Sequence, residues 1–381
     1  MTDIQVFVVS TFAVPPAIGH AGRAVFAMYL TAETIDDLLR KVYGRLLRKR
    51  GSDDINPTKG PATEINGALL VLKKPRARLS QSEKKNTLFS CLGEFLWYLA
   101  GSDKLDFIQY YISRYKDFSD DGKTVFGAYG PRLFGPTSGT DQVQNVIQTL
   151  RANQHSRRAV IQLFHGDDLA ANLVKRREDL PCTCTLQFFI RNYQLNAMVT
   201  MRSNDAFMGL PHDIFAFTML QELIARSLGV EVGQYKHAVG SLHLYANNTQ
   251  AVNDYLAEGF QESVSMPPMP AGDPWPAVER LLKAENTIRQ GKQPNLNGLD
   301  PYWADLVRLL QVFRYSRNGA RRAKRDKVED IKNQMTTNVY DVHILKRQLR
   351  APVAAQPEEQ LLFDTAELDA QQPASSDSNQ R

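Results

Sequence analysis

Two strand-like runs, residues 185–191 and 194–201, flank the dipeptide Asn192-Tyr193. A two-residue connection between such runs reads as a tight turn, and a tight turn fixes the register of the strands it joins. What lies at the outer ends of this pair constrains the chain further. The first run is entered through Leu180-Pro181-Cys182-Thr183-Cys184, and the second ends in Met201-Arg202-Ser203-Asn204-Asp205. A thiol follows a proline at the start of an apolar run. An arginine, a hydroxyl and a carboxylate arrive together at the end of the next. That set suits covalent chemistry on a phosphorylated substrate.

Around this pair the pattern is mixed α/β. Strands are expected at 5–12, 64–72, 158–164 and 235–245. Helices are expected from Thr34 to Leu47, from Thr87 to Ala100 with a stop at Gly101, from Asp141 to Leu150, and over 214–228 before Gly229. The glycine-rich stretch 119–140 reads as loop. From 250 to 340 the pattern becomes helical and more charged, and the basic residues between Arg317 and Lys327 read as a solvated helix face. The tail from 355 on, rich in Gln, Ser, Asp and Pro, reads as disordered. The domain reading is an N-terminal extension (1–33), a catalytic domain (34–250), a helical extension (251–350) and the tail (355–381).

With 381 residues the chain can bury a sizeable core, and a net charge of +5 suits an anionic small molecule as well as nucleic acid. Only three cysteines are present, Cys91, Cys182 and Cys184, which excludes a secreted disulfide framework. The last two are too closely spaced for a zinc knuckle and lack a second pair, so no metal is expected. The N-terminus carries an early Asp3 and no basic leading segment, and no run of about 20 apolar residues exists. The expectation is a soluble cytoplasmic protein with no membrane partner and no requirement for nucleic acid.

Several side chains have the right chemistry for a site. Cys182 is either an inert core thiol or a nucleophile, the latter favoured by nearby cations from Arg202, Arg157 and Arg158. If a strand begins at Cys182, it shares a face with Cys184. Glu94 sits in an apolar helix, where an unpaired carboxylate must find a partner or a function, and where desolvation raises a pKa toward the acid/base range. Arg157 and Arg158 form a fork for phosphate oxygens, yet adjacent strand residues point apart, so one of them suits a site across a subunit interface. Asp205, Gly209, Pro211 and Asp213 follow Arg202 closely. His243 and Tyr245, two residues apart at a strand end, share a face suited to a sugar hydroxyl.

Taken in order, these segments resemble the thymidylate synthase and deoxycytidylate hydroxymethylase superfamily. The matches are Gly93 to Gly101 (GEFLWYLAG), Tyr129-Gly130, Asp141-Gln142 with Ser156-Arg157-Arg158, Leu180-Pro181-Cys182 with Gln187-Phe188, Arg202 to Asp205 with Gly209-Leu210-Pro211, and Gly240 to Tyr245. They cover roughly residues 35 to 250. The resemblance implies a thymidylate synthase fold of the α/β (α+β) kind, its mixed sheet packed as a dimer interface, with a helical C-terminal extension here. It implies that Cys182 adds to carbon 6 of a pyrimidine nucleoside monophosphate, so that carbon 5 attacks the methylene of 5,10-methylenetetrahydrofolate. It further implies that Glu94, Tyr129 and Asp205 serve catalysis, and that Arg202 and Ser203 bind phosphate. Arg157 and Arg158 then come from the other subunit of a homodimer, Gln187 and Asp213 bind substrate, and His243 and Tyr245 bind the sugar. Asp205, Gly209 and Tyr115 fall on the reduced-folate side, and Lys59 aligns with an N-terminal phosphate-binding arginine.

The departures bear on the substrate. Members acting on dUMP carry asparagine where this chain has Asp213. Cytosine presents an amino donor and an unprotonated ring nitrogen, which a carboxyl can pair with, whereas an ionised carboxylate has no proton to offer uracil oxygen 4. Thr183 stands where synthases usually carry histidine. Asn196-Ala197 resembles the hydroxymethylase version, and Tyr115 and Phe118 stand where synthases carry tryptophans beside the folate. A changed wall admits water, giving hydroxymethyl instead of methyl. The expectation is 5-hydroxymethylation of a cytosine nucleotide, dCMP first. The alternatives are reductive methylation of dUMP to dTMP, or a member without turnover that serves as a binding module.

Overall fold

The computed structural model describes residues 28–49, 54–57, 60–85, 87–135, 139–317 and 321–349. The strand expected at 5–12, Lys59 and the tail from 355 on lie outside them. The strands are β1 (Met28–Ala32), β2 (Asp54–Ile55), β3 (Ala62–Leu72), β4 (Val160–Gln162), β5 (Thr183–Arg191), β6 (Gln194–Asp205) and β7 (Glu231–Tyr245). They form one mixed sheet in the order β1-β3-β7-β6-β5-β4, with the short β2 also paired to β3. The pairs β1–β3 and β6–β7 are parallel, and the others are antiparallel.

The hairpin forms as its turn dictates: Asn192 and Tyr193 both take positive φ (52° and 58°), the geometry whose twist matches that of the flanking strands. At the other end of β5 the register shifts between Thr183 and Thr185. Cys184 therefore falls in a bulge, and the strand begins at Thr183, so simple alternation does not place Cys184 beside Cys182.

The helices preceding the C-terminal third are α1 (Ile35–Lys49), α2 (Leu88–Leu99), α3 (Leu105–Tyr111), α4 (Tyr129–Phe134), α5 (Gln142–Ala152), α6 (Gly166–Val174) and α7 (Gly209–Leu228). α7 is buried on all sides from Ile214 to Ala225, between β6 and β7 on one side and α2 and α5 on the other. Its side chains there are mostly apolar, and the polar ones find partners: Glu222 accepts from Arg78, and Gln221 donates to the Leu195 carbonyl at 2.8 Å. Then come α8 (Thr249–Ala257), α9 (Trp275–Arg289), α10 (Pro301–Arg317), α11 (Arg321–Lys332) and α12 (Asp341–Leu349). α9 and α10 pack on α2, so the C-terminal helices share its core. Phe313 of α10 stacks on Phe89 of α2 at 6.0 Å, and Glu285 of α9 accepts a 2.8 Å hydrogen bond from the Tyr111 hydroxyl.

β1, β2, α3, α4 and α6 were not expected. α4 lies inside the stretch 119–140 read as loop. It abuts the end of α2 so closely that a Cβ on Gly130 would come within 2.9 Å of the Ser102 amide and 3.0 Å of the Tyr98 carbonyl. Only glycine permits that approach, and the approach seats Tyr129 against the sheet.

The opposite face of the sheet is open among the described residues. Tyr29, Val160, Gln162 and Thr200 are exposed there, and Gln187, Phe189 and Met198 are half-buried. No helix among the described residues is long and apolar enough to cross a membrane.

Candidate active site

Cys182 stands just ahead of β5, half-buried, its Sγ 3.9 Å from the Leu180 carbonyl. Arg202 on β6 holds this segment in place. Its backbone N–H donates to the Cys182 carbonyl (2.9 Å), its Nε to the Pro181 carbonyl (2.9 Å) and its Nη2 to the Leu180 carbonyl (3.0 Å). The guanidinium is exposed and retains donors for an anion. Tyr129 closes the site from the α4 side. Its hydroxyl is within hydrogen-bonding distance of the Thr183 amide (3.0 Å) and the Thr183 hydroxyl (3.1 Å), next to the thiol. Burial pushes the Tyr129 phenol well up, and the charges of Cys182 and Asp213 add to the effect.

Glu94 on α2 is 6% exposed and accepts a hydrogen bond from the Tyr115 hydroxyl. The Tyr115 ring meets Trp97 edge-on at 5.4 Å and Phe118 at 5.6 Å. Asp213, one turn into α7 and 9% exposed, accepts from Asn204 Nδ2 at 2.7 Å. Burial holds its carboxyl well above the usual range, with the nearby Glu94 charge acting in the same direction. Gly209 opens α7 close to this pair: a Cβ there would lie 3.0 Å from Asn204 Nδ2 and 3.5 Å from Asp213 Oδ2.

Asp205 ends β6. Its Oδ1 accepts from the amides of Phe207 (2.8 Å) and Met208 (3.0 Å), turning the chain into α7, while Oδ2 has no hydrogen-bond partner among the described residues. Register sets Ser203 opposite Ser241 and Asp205 opposite His243 across β6–β7. His243 and Tyr245 do share a face, their rings edge-on at 4.9 Å. Burial raises the Tyr245 phenol, reinforced by Asp205 and Cys182, so the pair borders the same site.

Arg157, Arg158 and Gln187 lie apart from this cluster. Both arginines are exposed in the loop before β4, and Gln187 Nε2 donates to the Arg157 carbonyl at 3.0 Å. Gln187 thus belongs with the arginine loop on the open sheet face. Among the described residues no group of His, Cys, Asp or Glu is arranged to hold a metal ion.

Residues overlooked in the sequence complete the site. Lys85 is buried, donates to the Phe207 carbonyl and lies 3.4 Å over the Phe207 ring; burial lowers its pKa to about 8, partly offset by Asp205. Asn204, His237 and Tyr235 form a buried polar chain leading to Asp213. One signal was available. Tyr235 and His237 alternate with Val239 on the inward face of a strand, and polar groups at inward positions require partners.

This arrangement of thiol, arginine and buried carboxyls on a bulged mixed sheet coincides with a family match. The family model for thymidylate synthase matches residues 63–269, more than half of the chain. A thymidylate synthase of Francisella tularensis subsp. holarctica is 29% identical over 219 residues, 54% of this chain and 74% of that protein. A deoxyuridylate hydroxymethyltransferase of Pseudomonas phage M6 is 32% identical over 216 residues, 55% of this chain and 60% of that protein. The chain belongs to the thymidylate synthase family. Its fold is that family's fold, and its class is that of the one-carbon transferases that modify carbon 5 of a pyrimidine nucleotide with methylenetetrahydrofolate as co-substrate.

Proposed function

We propose that this chain hydroxymethylates carbon 5 of a cytosine nucleotide, dCMP first, through a covalent adduct at Cys182. The observation that carries the reading is Asp213: a buried carboxyl, held toward its neutral form, at the position where the family resemblance puts the base-reading asparagine. A neutral carboxyl donates to the unprotonated ring nitrogen of cytosine and accepts from its amino group. In the proposed cycle Cys182 Sγ bonds to carbon 6 as the π pair moves to carbon 5, and Arg202 and Ser203 hold the phosphate. His243 and Tyr245 hold the sugar, and Glu94 with Tyr115 manages proton and water positions. Methylenetetrahydrofolate supplies the one-carbon unit. Asp205 Oδ2 is an acceptor of the kind a pterin N–H needs, and this supports a folate seat beside Asp205 and Tyr115. A hydroxyl in the aromatic wall, paired with Glu94, supports a wetter site than an all-apolar wall, and so water rather than hydride as the last reactant. Both co-substrates being cytoplasmic metabolites, the proposal includes a cytoplasmic setting.

Tritium release from carbon-5-labelled dCMP and dUMP, with dihydrofolate absorbance followed in parallel, tests this. Release from dCMP without dihydrofolate is the expected result. The relatedness to a deoxyuridylate hydroxymethyltransferase favours a second reading, release from dUMP without dihydrofolate. Release from dUMP with dihydrofolate formed would mean a thymidylate synthase, and release from neither would mean a binding module.

The proposal includes a homodimer through the open sheet face, with Arg157 and Arg158 completing the partner's phosphate site. Two exposed arginines beside an uncovered sheet support it. Arg157→Ala/Arg158→Ala and Cys182→Ala chains are each expected to be inactive alone, and unfolding and refolding them together is expected to restore activity. If the mixture stays inactive although mixed dimers form, the arginines do not serve across the interface.

A further inference from the structure

We propose that Tyr235, His237 and Asn204 are positioning residues that dictate which oxygen of Asp213 carries the proton, and so which pyrimidine edge the carboxyl can pair with. The inference rests on Asp213 being the base-reading group. The chain of contacts is continuous. The Tyr235 hydroxyl lies 2.8 Å from His237 Nδ1, His237 Nε2 lies 3.1 Å from Asn204 Oδ1, and Asn204 Nδ2 lies 2.7 Å from Asp213 Oδ2. Tyr235 and His237 have no exposed surface, and Asn204 is 4% exposed.

A neutral carboxyl whose proton is free to sit on either oxygen matches both bases, because its donor and acceptor can exchange places. It then accepts cytosine in one arrangement and uracil in the other. An immobile donor aimed at one oxygen removes that freedom. Asn204 Nδ2 donates to Oδ2, and because the carbonyl oxygen of a neutral carboxyl is the better acceptor, this favours Oδ2 as the carbonyl and leaves the hydrogen to Oδ1.

Asn204 alone cannot impose this, since an amide can flip and present its oxygen instead; the surrounding network decides its orientation. His237 is neutral, burial having pushed its pKa down to about 3, so one ring nitrogen donates and the other accepts. The remaining choice of tautomer falls to Tyr235. Among the described residues its hydroxyl has a single hydrogen-bond partner, His237 Nδ1. If Tyr235 accepted from Nδ1–H, its own hydrogen would be buried without an acceptor, which is costly. Donation by Tyr235 leaves nothing orphaned. It puts the ring proton on Nε2, turns the Asn204 oxygen toward His237 and aims the Asn204 N–H groups at Asp213. Every link then points one way, from a phenol at the start of β7 to the carboxyl on α7.

Binding of dCMP and of dUMP to the full-length protein, measured by titration calorimetry, reads this directly. Tyr235→Phe keeps the ring and removes only the hydroxyl that sets the direction. His237→Leu removes the link, and His237→Gln returns an N–H donor to Asn204. The wild type is expected to favour dCMP. Tyr235→Phe and His237→Leu are expected to shrink the ratio of the two dissociation constants by roughly tenfold or more, through weaker dCMP and tighter dUMP binding, with His237→Gln restoring part of it. Equal losses for both nucleotides, with the ratio preserved, would mean that the chain only packs the sheet, and would overturn the proposal. A wild type with no preference for dCMP overturns instead the assignment of Asp213, before any variant is compared.

Discussion

Asp213→Asn is expected to reverse base preference, lowering kcat/KM for dCMP relative to dUMP by roughly a hundredfold or more. An amide turned with its N–H pair toward position 4 donates to uracil oxygen 4 but meets the cytosine amino group donor to donor, and this turn requires Asn204 to turn as well, because Asn204 Nδ2 then faces a donor instead of the Asp213 Oδ2 acceptor. The substitution also changes the dependence on pH. Burial and the neighbouring Glu94 hold the folded Asp213 well above the usual carboxylate range, while an unfolded chain releases that proton at about pH 4. Its favourable contribution to stability is complete below that value. It declines above it, where the folded state holds a proton the unfolded state has lost, and it is gone once pH passes the folded value. The variant has no such slope, so its melting temperature should gain on the wild type between pH 5 and neutrality. Parallel thermal melts and steady-state rates on both nucleotides measure all of this. Unchanged preference would remove Asp213 from base recognition.

Cys182→Ser is expected to abolish tritium release from carbon 5 and to cut turnover by roughly a thousandfold or more, with nucleotide affinity within a few-fold of wild type. A hydroxyl at neutral pH is a far poorer nucleophile than a thiolate. Arg202 grips this segment through the carbonyls of Leu180 and Pro181 and does not use the sulfur. Cys184→Ser is the matched control. Cys184 occupies the β5 bulge, and its carbonyl accepts from the amides of Leu163 and Phe164. Release should survive there. Release surviving instead in Cys182→Ser would move the covalent step to another residue or dispense with it.

Much of this architecture was legible because it rests on local rules. The Asn192-Tyr193 turn, the apolar period of α1, α2 and α5, and the mostly apolar run of α7 each carry their own signal. The elements that escaped depend on distant partners. β1 exists by parallel pairing with β3, about 40 residues on. α6 exposes Leu169 and Leu173 and so lacks an inward apolar stripe; a capping box at His165 and the two hydrogen bonds from Arg132 to Asp168 hold it. The site divides in the same way. Cys182, Glu94, Arg202 and Asp213 stood out by residue type in context. Asn204, His237 and Tyr235 did not, because the link from β7 to Asn204 is a side-chain contact between residues far apart in the chain and not paired in the sheet, His237 standing opposite Val199 and Asn204 opposite Leu242.

The grip of Arg202 on the carbonyls of Leu180 and Pro181 has a consequence for how such an enzyme can diverge. The cation proposed for the phosphate is also the brace of the backbone beside the proposed nucleophile, so any change that relaxes the demand for a phosphate disturbs the thiol as well. In the proposed reading the base is recognised from a different element, by a carboxyl joined to the rest of the site through one amide. On that reading, descendants of this architecture are free to drift among pyrimidines, while the monophosphate stays a fixed term of their inheritance.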